Sequence, residues 1–221
     1  MNHNPPYQMS ESFLLGGILA VVGGFLDAYT YLLRGGVFAN AQTGNIVLLG
    51  LYAARFHFAK AFYYLIPISA FIMGVIIVEA VKWKFREYHL FHWRQGIIAA
   101  EFVLLLAAAF IPQGKWDTAV NIAVSFVCAM QVESFRKVNG NAYATTMCTG
   151  NLRSASESLC RYAITKDSSE REKSLRYYGI ILFFIGGAVL GTWMSGVFAE
   201  KAVLFCCGLL ATAFLLMFLE K

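Results

Sequence analysis

Charge is what this sequence has least of. Asp, Glu, Lys and Arg together make up 14% of its 221 residues, against roughly 25% in soluble domains. With 58% hydrophobic residues and a mean hydropathy of +0.59, a water-soluble globule could not bury its apolar surface. Alternation is missing as well. A β-barrel would show segments of roughly ten alternating residues, whereas the apolar runs here are continuous and longer. The opening "MNHNPPYQMSES" has no basic stretch and so does not read as a cleaved signal peptide. There is no HExxH, no pair of histidines within an apolar run and no Ser–His arrangement, so an enzyme, a metal centre or a cofactor is not expected. The five cysteines (Cys128, Cys148, Cys160, Cys206, Cys207) are odd in number and lack zinc spacing, which fits packing thiols.

What is present is a set of long apolar runs. Only helices or closed barrels satisfy the backbone in lipid, so the chain reads as a single all-α transmembrane domain over residues 1–221. Six stretches approach the ~20 residues that a crossing needs: about 12–33, 61–82, 95–113, 117–138, 177–197 and 201–219. Two shorter ones, about 44–55 and 150–162, follow Thr-Gly-Asn tripeptides and read as half-helices. Glu101, within the third run, is expected to be a hydrogen-bonded structural carboxyl.

A net charge of +5 would suggest nucleic acid in a soluble chain. Here the bases lie in short segments beside apolar runs and report orientation instead. With the N-terminus inside and six crossings, thirteen bases (Lys82, Lys84, Arg86, Arg94, the eight from Arg136 to Arg176, and Lys221) face the cytoplasm. Five (Arg34, Arg55, Lys60, Lys115, Lys201) face out. Both termini are therefore predicted to be cytoplasmic. "VKWKFREYHLFHW" (81–93) reads as an aromatic anchor at the inner interface, with His89 and His92 lacking a third metal ligand. "ITKDSSEREKSLR" (164–176) reads as a charged loop.

The unusual feature is polar. "GGFLDAYTYLLRGGVFANAQTGN" (23–45) holds Asp27 inside an apolar run and a Thr43-Gly44-Asn45 turn sixteen residues later. A shift of 106 residues places Asp27 on Glu133 and that turn on Thr149-Gly150-Asn151 without a gap. "FIMG" (71–74) then matches "FFIG" (183–186), and "LLAAAF" (105–110) matches "LLATAF" (209–214). Acid, turn and two later matches in one order indicate an internal repeat over about 12–113 and 117–219. Three crossings per half is an odd number, so the second half enters from the opposite side. The expected fold is six transmembrane helices in two inverted three-helix repeats, each with a re-entrant turn and half-helix.

The two turns should then meet near the midplane. Two helix N-termini at one spot favour an anionic or polar solute. The candidate substrate-binding residues are Asp27, Thr43, Gly44, Asn45, Gln131, Glu133, Thr149, Gly150 and Asn151, and each acid should reach a Thr-Gly-Asn segment. Asp27 is either functional or a structural acceptor for backbone N–H groups, or a partner for Arg34. Glu133 could instead pair with Arg136 and Lys137. Gln131, Asn121 and Ser125 form a polar stripe that lines a pathway or joins helices. The glycines at 16–17, 23–24 and in "GGAVLG" (186–191) fit close helix packing.

The block "GGFLDA…FANAQTGNIVLLGLY" (23–52) resembles the YoaK-like family of small bacterial membrane proteins, a likeness that extends over essentially the whole chain. The resemblance implies a bacterial inner-membrane protein of about six helices and carries no active-site assignment. In layout the paired half-helices are similar to aquaporin and formate-channel plans, without an Asn-Pro-Ala signature. Two functions stay open. One is a small-solute transporter or facilitator, and the other is a non-transporting membrane module or assembly partner. The bilayer is the expected partner of either, and homo-oligomerisation is left open.

Overall fold

The first apolar run becomes a helix because Ser12 caps it. Its hydroxyl accepts from Leu15 N at 3.2 Å, and α1 spans Phe13–Leu33. It stops where Gly35 and Gly36 turn the chain at φ +82° and +74°, a conformation that costs glycine little. In this computed structural model, which describes residues 11–84, 93–138, 141–143 and 148–218, seven further α-helices follow. They are α2 (Gln42–Ala54), α3 (Phe58–Lys84), α4 (Trp93–Ala108), α5 (Asp117–Ser134), α6 (Cys148–Thr165), α7 (Ser168–Phe198) and α8 (Leu204–Leu216), the last preceded by a 3-10 segment, Ala199–Val203. His89 and His92 lie outside the described residues.

Three helical stretches are long and apolar enough to cross a bilayer: Phe13–Leu33, Phe58–Lys84 and the run Ser168–Leu216. The runs expected at 95–113 and 201–219 give shorter helices, α4 and α8, which pack on each other. The stretch 164–176, expected as a loop, is mostly helix. Asp167 caps α7 by accepting from Ser169 N at 2.9 Å, and an i,i+4 pair, Arg176–Glu172, supports the first turns. A two-residue antiparallel pairing, Lys137–Val138 with Asn141–Ala142, also departs from expectation. Its signal in the sequence was the intervening Asn139-Gly140, a favoured hairpin dipeptide.

The helices associate in a pattern that reads the same when the two halves are exchanged. α1 packs on α7 and α5 on α3; α2 packs on α3 and α6 on α7; α4 meets α5 and α8 meets α1. Within the first kind of pair the helices run parallel. Gly17 meets Phe183 and Gly191 meets Phe25, while Tyr63 meets Asn121 and Lys82 meets Glu133. The matched helices α1 and α5, by contrast, are antiparallel: Arg34 at the end of α1 touches Asn121 early in α5, and Leu19 touches Gln131 late in it.

Glycine sets the closeness of α1 and α7. A Cβ on Gly24 would meet the carbonyl of Phe184, and one on Gly187 the carbonyl of Val21, so the two backbones are in direct contact. Small residues permit this approach where lipid tails leave no hydrophobic drive for association. Gly74 plays the corresponding part in α3, against Phe126 and Ala129 of α5. The joints after α2 and α6 also agree, because each turns on a non-glycine residue at φ +58°, Phe56 and Lys166.

Candidate functional site

The polar stretch after α1 folds back along that helix. Ala39 N donates to Thr30 Oγ1 at 3.3 Å, Asn40 N to Asp27 Oδ1 at 2.8 Å and Ala41 N to the same Oδ1 at 3.3 Å. Asn40 Nδ2 reaches one turn further, to Gly23 O at 3.2 Å. Asp27 lies six residues before the end of α1, about 9 Å into the helix at 1.5 Å per residue. The segment 37–41 therefore leads α2 to start beside the interior of α1 and not at its tip.

Asn45 closes this loop. Its Oδ1 accepts from Phe38 N at 3.2 Å, while Nδ2 donates to Phe38 O at 2.6 Å and to Gln42 Oε1 at 2.9 Å. An extended segment buried in an apolar setting must have its backbone groups paired, and Asn45, Gln42, Thr30 and Asp27 do this between them. Gly44 sits over Phe38, whose ring a Cβ would meet at 2.9 Å.

Asp27 thus holds the segment that precedes the first Thr-Gly-Asn turn, and Arg34 is not its partner. The buried Arg34 guanidinium uses all five N–H groups elsewhere: Tyr29 Oη at 3.2 and 2.8 Å, Ile111 O at 2.8 Å, Pro112 O at 3.2 Å and Asp117 Oδ1 at 3.0 Å. Its own carbonyl accepts from Tyr63 Oη and Asn121 Nδ2. The charge that sequence reasoning placed on an outer loop is a buried clasp joining α1, α3, α5 and the α4–α5 connection.

The second acid behaves differently. Glu133 Oε1 lies 3.2 Å from Arg136 Nη1 and 3.6 Å from Lys82 Nζ. Its described ion-pair partners are these bases, and no hydrogen bond between it and 149–151 is described. The positions that match Asn40 and Ala41 under the 106-residue shift, 146 and 147, lie outside the described residues. Gln131 is buried and donates to Leu19 O at 3.0 Å, joining α5 to α1. Glu101 is fully buried with neither oxygen partnered among the described residues, contrary to the hydrogen-bonded role expected of it.

The two Thr-Gly-Asn segments, which form the first helical turns of α2 and α6 and not separate turns, border one cavity. A cavity of about 810 Å³ is lined by Asp27, Ala28, Tyr31, Leu32, Phe38, Asn40, Ala41, Gln42 and Thr43 from the first half. Phe71 of α3 and Val132 of α5 also line it, with Cys148, Thr149, Gly150, Phe184, Ala188 and Thr192 closing the far side. Of the nine residues singled out in the sequence, Asp27, Thr43, Thr149 and Gly150 line this cavity. Gly44, Asn45, Gln131, Glu133 and Asn151 are not among its lining residues. Asn45 and Asn151 are buried at the starts of their helices. Asn40, Cys148 and the aromatic walls were missed; Asn40 stood three residues before Thr43, in the one polar run of its half.

Apolar helices that enclose polar, backbone-paired turns make an α-helical membrane protein. The chain belongs to the family described as protein of unknown function DUF1275, whose model matches residues 15–216. Among curated proteins it is similar to the UPF0700 transmembrane protein YoaK of Bacillus subtilis (strain 168), with 29% identity over 182 residues covering 78% of this chain and 80% of that protein. No solved structure matches.

Proposed function

We propose that the protein is a transporter or facilitator for a small solute, with its binding site in the cavity between the two Thr-Gly-Asn turns. The observation that carries this reading is that one cavity receives Thr43 from the start of α2 and both Thr149 and Gly150 from the start of α6. Its volume falls within the range of roughly 300–1,000 Å³ usual for small-molecule sites.

The architecture proposed is the inverted repeat. The packing pattern that survives exchange of the halves supports it, and so does the antiparallel course of α1 and α5. A repeat whose matched helices run in opposite directions has its two-fold axis in the membrane plane. α2 and α6 are then re-entrant half-helices. α2 begins beside Asp27, inside α1, and returns to the start of α3; α6 begins at the cavity and returns to the start of α7, with Ser174 Oγ on Ala155 O. Non-helical backbone at that depth is tolerated where protein buries it or a cavity receives it. The face bearing Lys82, Arg94 and Arg136 is proposed as cytoplasmic in a bacterial inner membrane, on the asymmetry of bases.

The cavity carries its own probe. Cys148 lines it, while Cys128, Cys206 and Cys207 are buried. In a Cys160→Ser background reconstituted in sealed vesicles, a membrane-impermeant thiosulfonate should label Cys148 from at least one face. A tryptophan at Thr149 should block both labelling and solute flux. Complete protection of Cys148 from both faces, with no flux for any solute of a broad panel, overturns the reading in favour of a non-transporting module.

A further inference from the structure

We propose that the ligand of this cavity is a small organic cation, an amine or quaternary ammonium with an apolar body, held by Asp27 against aromatic walls. The inference rests on the reading of the cavity as a solute site and adds the class of solute.

Charge comes first. Asp27 is the only carboxyl among the described lining residues, and none of these is a Lys, Arg or His. Two convergent helix starts would draw an anion. At the α2 start, however, Asp27 Oδ1 already accepts from Asn40 N and Ala41 N. The negative group that such an end attracts is part of the protein, and a second anion would meet a fixed carboxylate with no counter-charge.

The remaining polar groups point the same way. Asp27 Oδ2 has no donor among the described residues. Asn40 Nδ2 is fixed on Gly23 O, and its Oδ1, without a partner among the described residues, is sealed off from the cavity surface. The site thus offers a ligand one carboxylate oxygen, which suits a donor with positive charge.

The walls suit the rest of such a molecule. Tyr31, Phe38, Phe71 and Phe184 line the cavity, with Tyr31 and Phe38 stacked at 4.6 Å. Aromatic faces attract ammonium groups through their quadrupole and cover an apolar body equally well. Among the described residues no group of three or more His, Cys, Asp or Glu stands ready to hold a metal ion.

Three probes of one size separate the charge classes: benzylammonium, benzyl alcohol and benzoate. They are titrated against the purified full chain in lipid nanodiscs, with thermal unfolding and isothermal calorimetry as readouts. Benzylammonium should bind at least ten-fold more tightly than the other two. Asp27→Asn, which keeps an acceptor for Asn40 N and Ala41 N, should remove that ten-fold preference without lowering the unfolding temperature of the free protein. Thr192→Trp should weaken benzylammonium binding by filling the cavity. Preferential binding of benzoate, or of benzyl alcohol, overturns the cation class while leaving the cavity as a solute site. Equal binding of all three that is insensitive to Asp27→Asn marks an apolar lipid groove and overturns the class as well. If no probe binds while Cys148 reacts with impermeant reagent, the cation class alone fails; if Cys148 is also protected from both faces, the solute site itself fails.

Discussion

Asp27 and Glu133 each stand sixteen residues ahead of a Thr-Gly-Asn segment, yet their described partners differ. Asp27 is enclosed and binds the backbone that introduces α2. Glu133 sits at the end of α5 and pairs with Lys82 and Arg136. The helices that carry them explain this. α1 continues for six residues beyond Asp27 and encloses it, whereas α5 ends one residue after Glu133. Equal spacing to the tripeptide leaves the surroundings open; the length of helix beyond the acid decides whether that acid is core or rim.

Arg34 offers the sharpest way to test this asymmetry. It belongs to the first half alone, since a glycine, Gly140, stands at the matching position. Arg34→Ala should cost about 3–5 kcal/mol, because it strands Asp117 and the carbonyls of Ile111 and Pro112. Thermal unfolding in a mild detergent measures it, and a loss below about 1 kcal/mol would show that the clasp does not hold these helix ends together.

Replacing the two acids should give unequal losses. Asp27→Leu leaves the N–H groups of Asn40 and Ala41 without their acceptor and should cost ~1–3 kcal/mol, whereas Glu133→Gln should change stability by less than about 1 kcal/mol, as rim ion pairs do. Equal losses from the two would remove the contrast between the two acids.

The turn glycines extend the contrast. Gly44→Ala pushes a methyl into Phe38, and the crowding should outweigh the helix propensity it gains, a net loss of about 1 kcal/mol. Gly150 has open space at the same atom, so Gly150→Ala should gain up to about 1 kcal/mol. The same unfolding assay checks the opposite signs.

The smallest effect lies at the start of α7. Ser169 N–H and hydroxyl bond to Asp167 and hold its carboxyl below the usual range. A depressed carboxyl contributes stability above its unfolded pKa, near 3.9, and loses it as pH falls through the lower folded value. The protection factor of the Ser169 amide, its exchange rate relative to that of an unstructured amide at the same pH, should fall on acidification through that window, and Asp167→Asn should make the protection factor independent of pH.

By itself the sequence determined that the chain is helical and membrane-embedded, because backbone groups in lipid allow few alternatives and the apolar runs leave no other use for themselves. It also placed all eight helices close to where they stand, from apolar runs and the two Thr-Gly-Asn turns, while missing that Asp167 would begin α7 nine residues early. Tertiary structure alone decided the rest. Whether Asp27 would meet Arg34 or the 37–41 backbone depended on where Gly35 and Gly36 turned the chain. Whether Glu133 would face the turn or a lysine depended on α3, which is fifty residues away in sequence and alongside in space. Which turn residues would line a cavity was likewise fixed by the approach of α1 and α7 at Gly24 and Gly187. Local pattern fixes the elements because hydrogen bonding and solvation act over a few residues. Partners of a buried charge are settled only when helices meet, since every donor in reach competes for it.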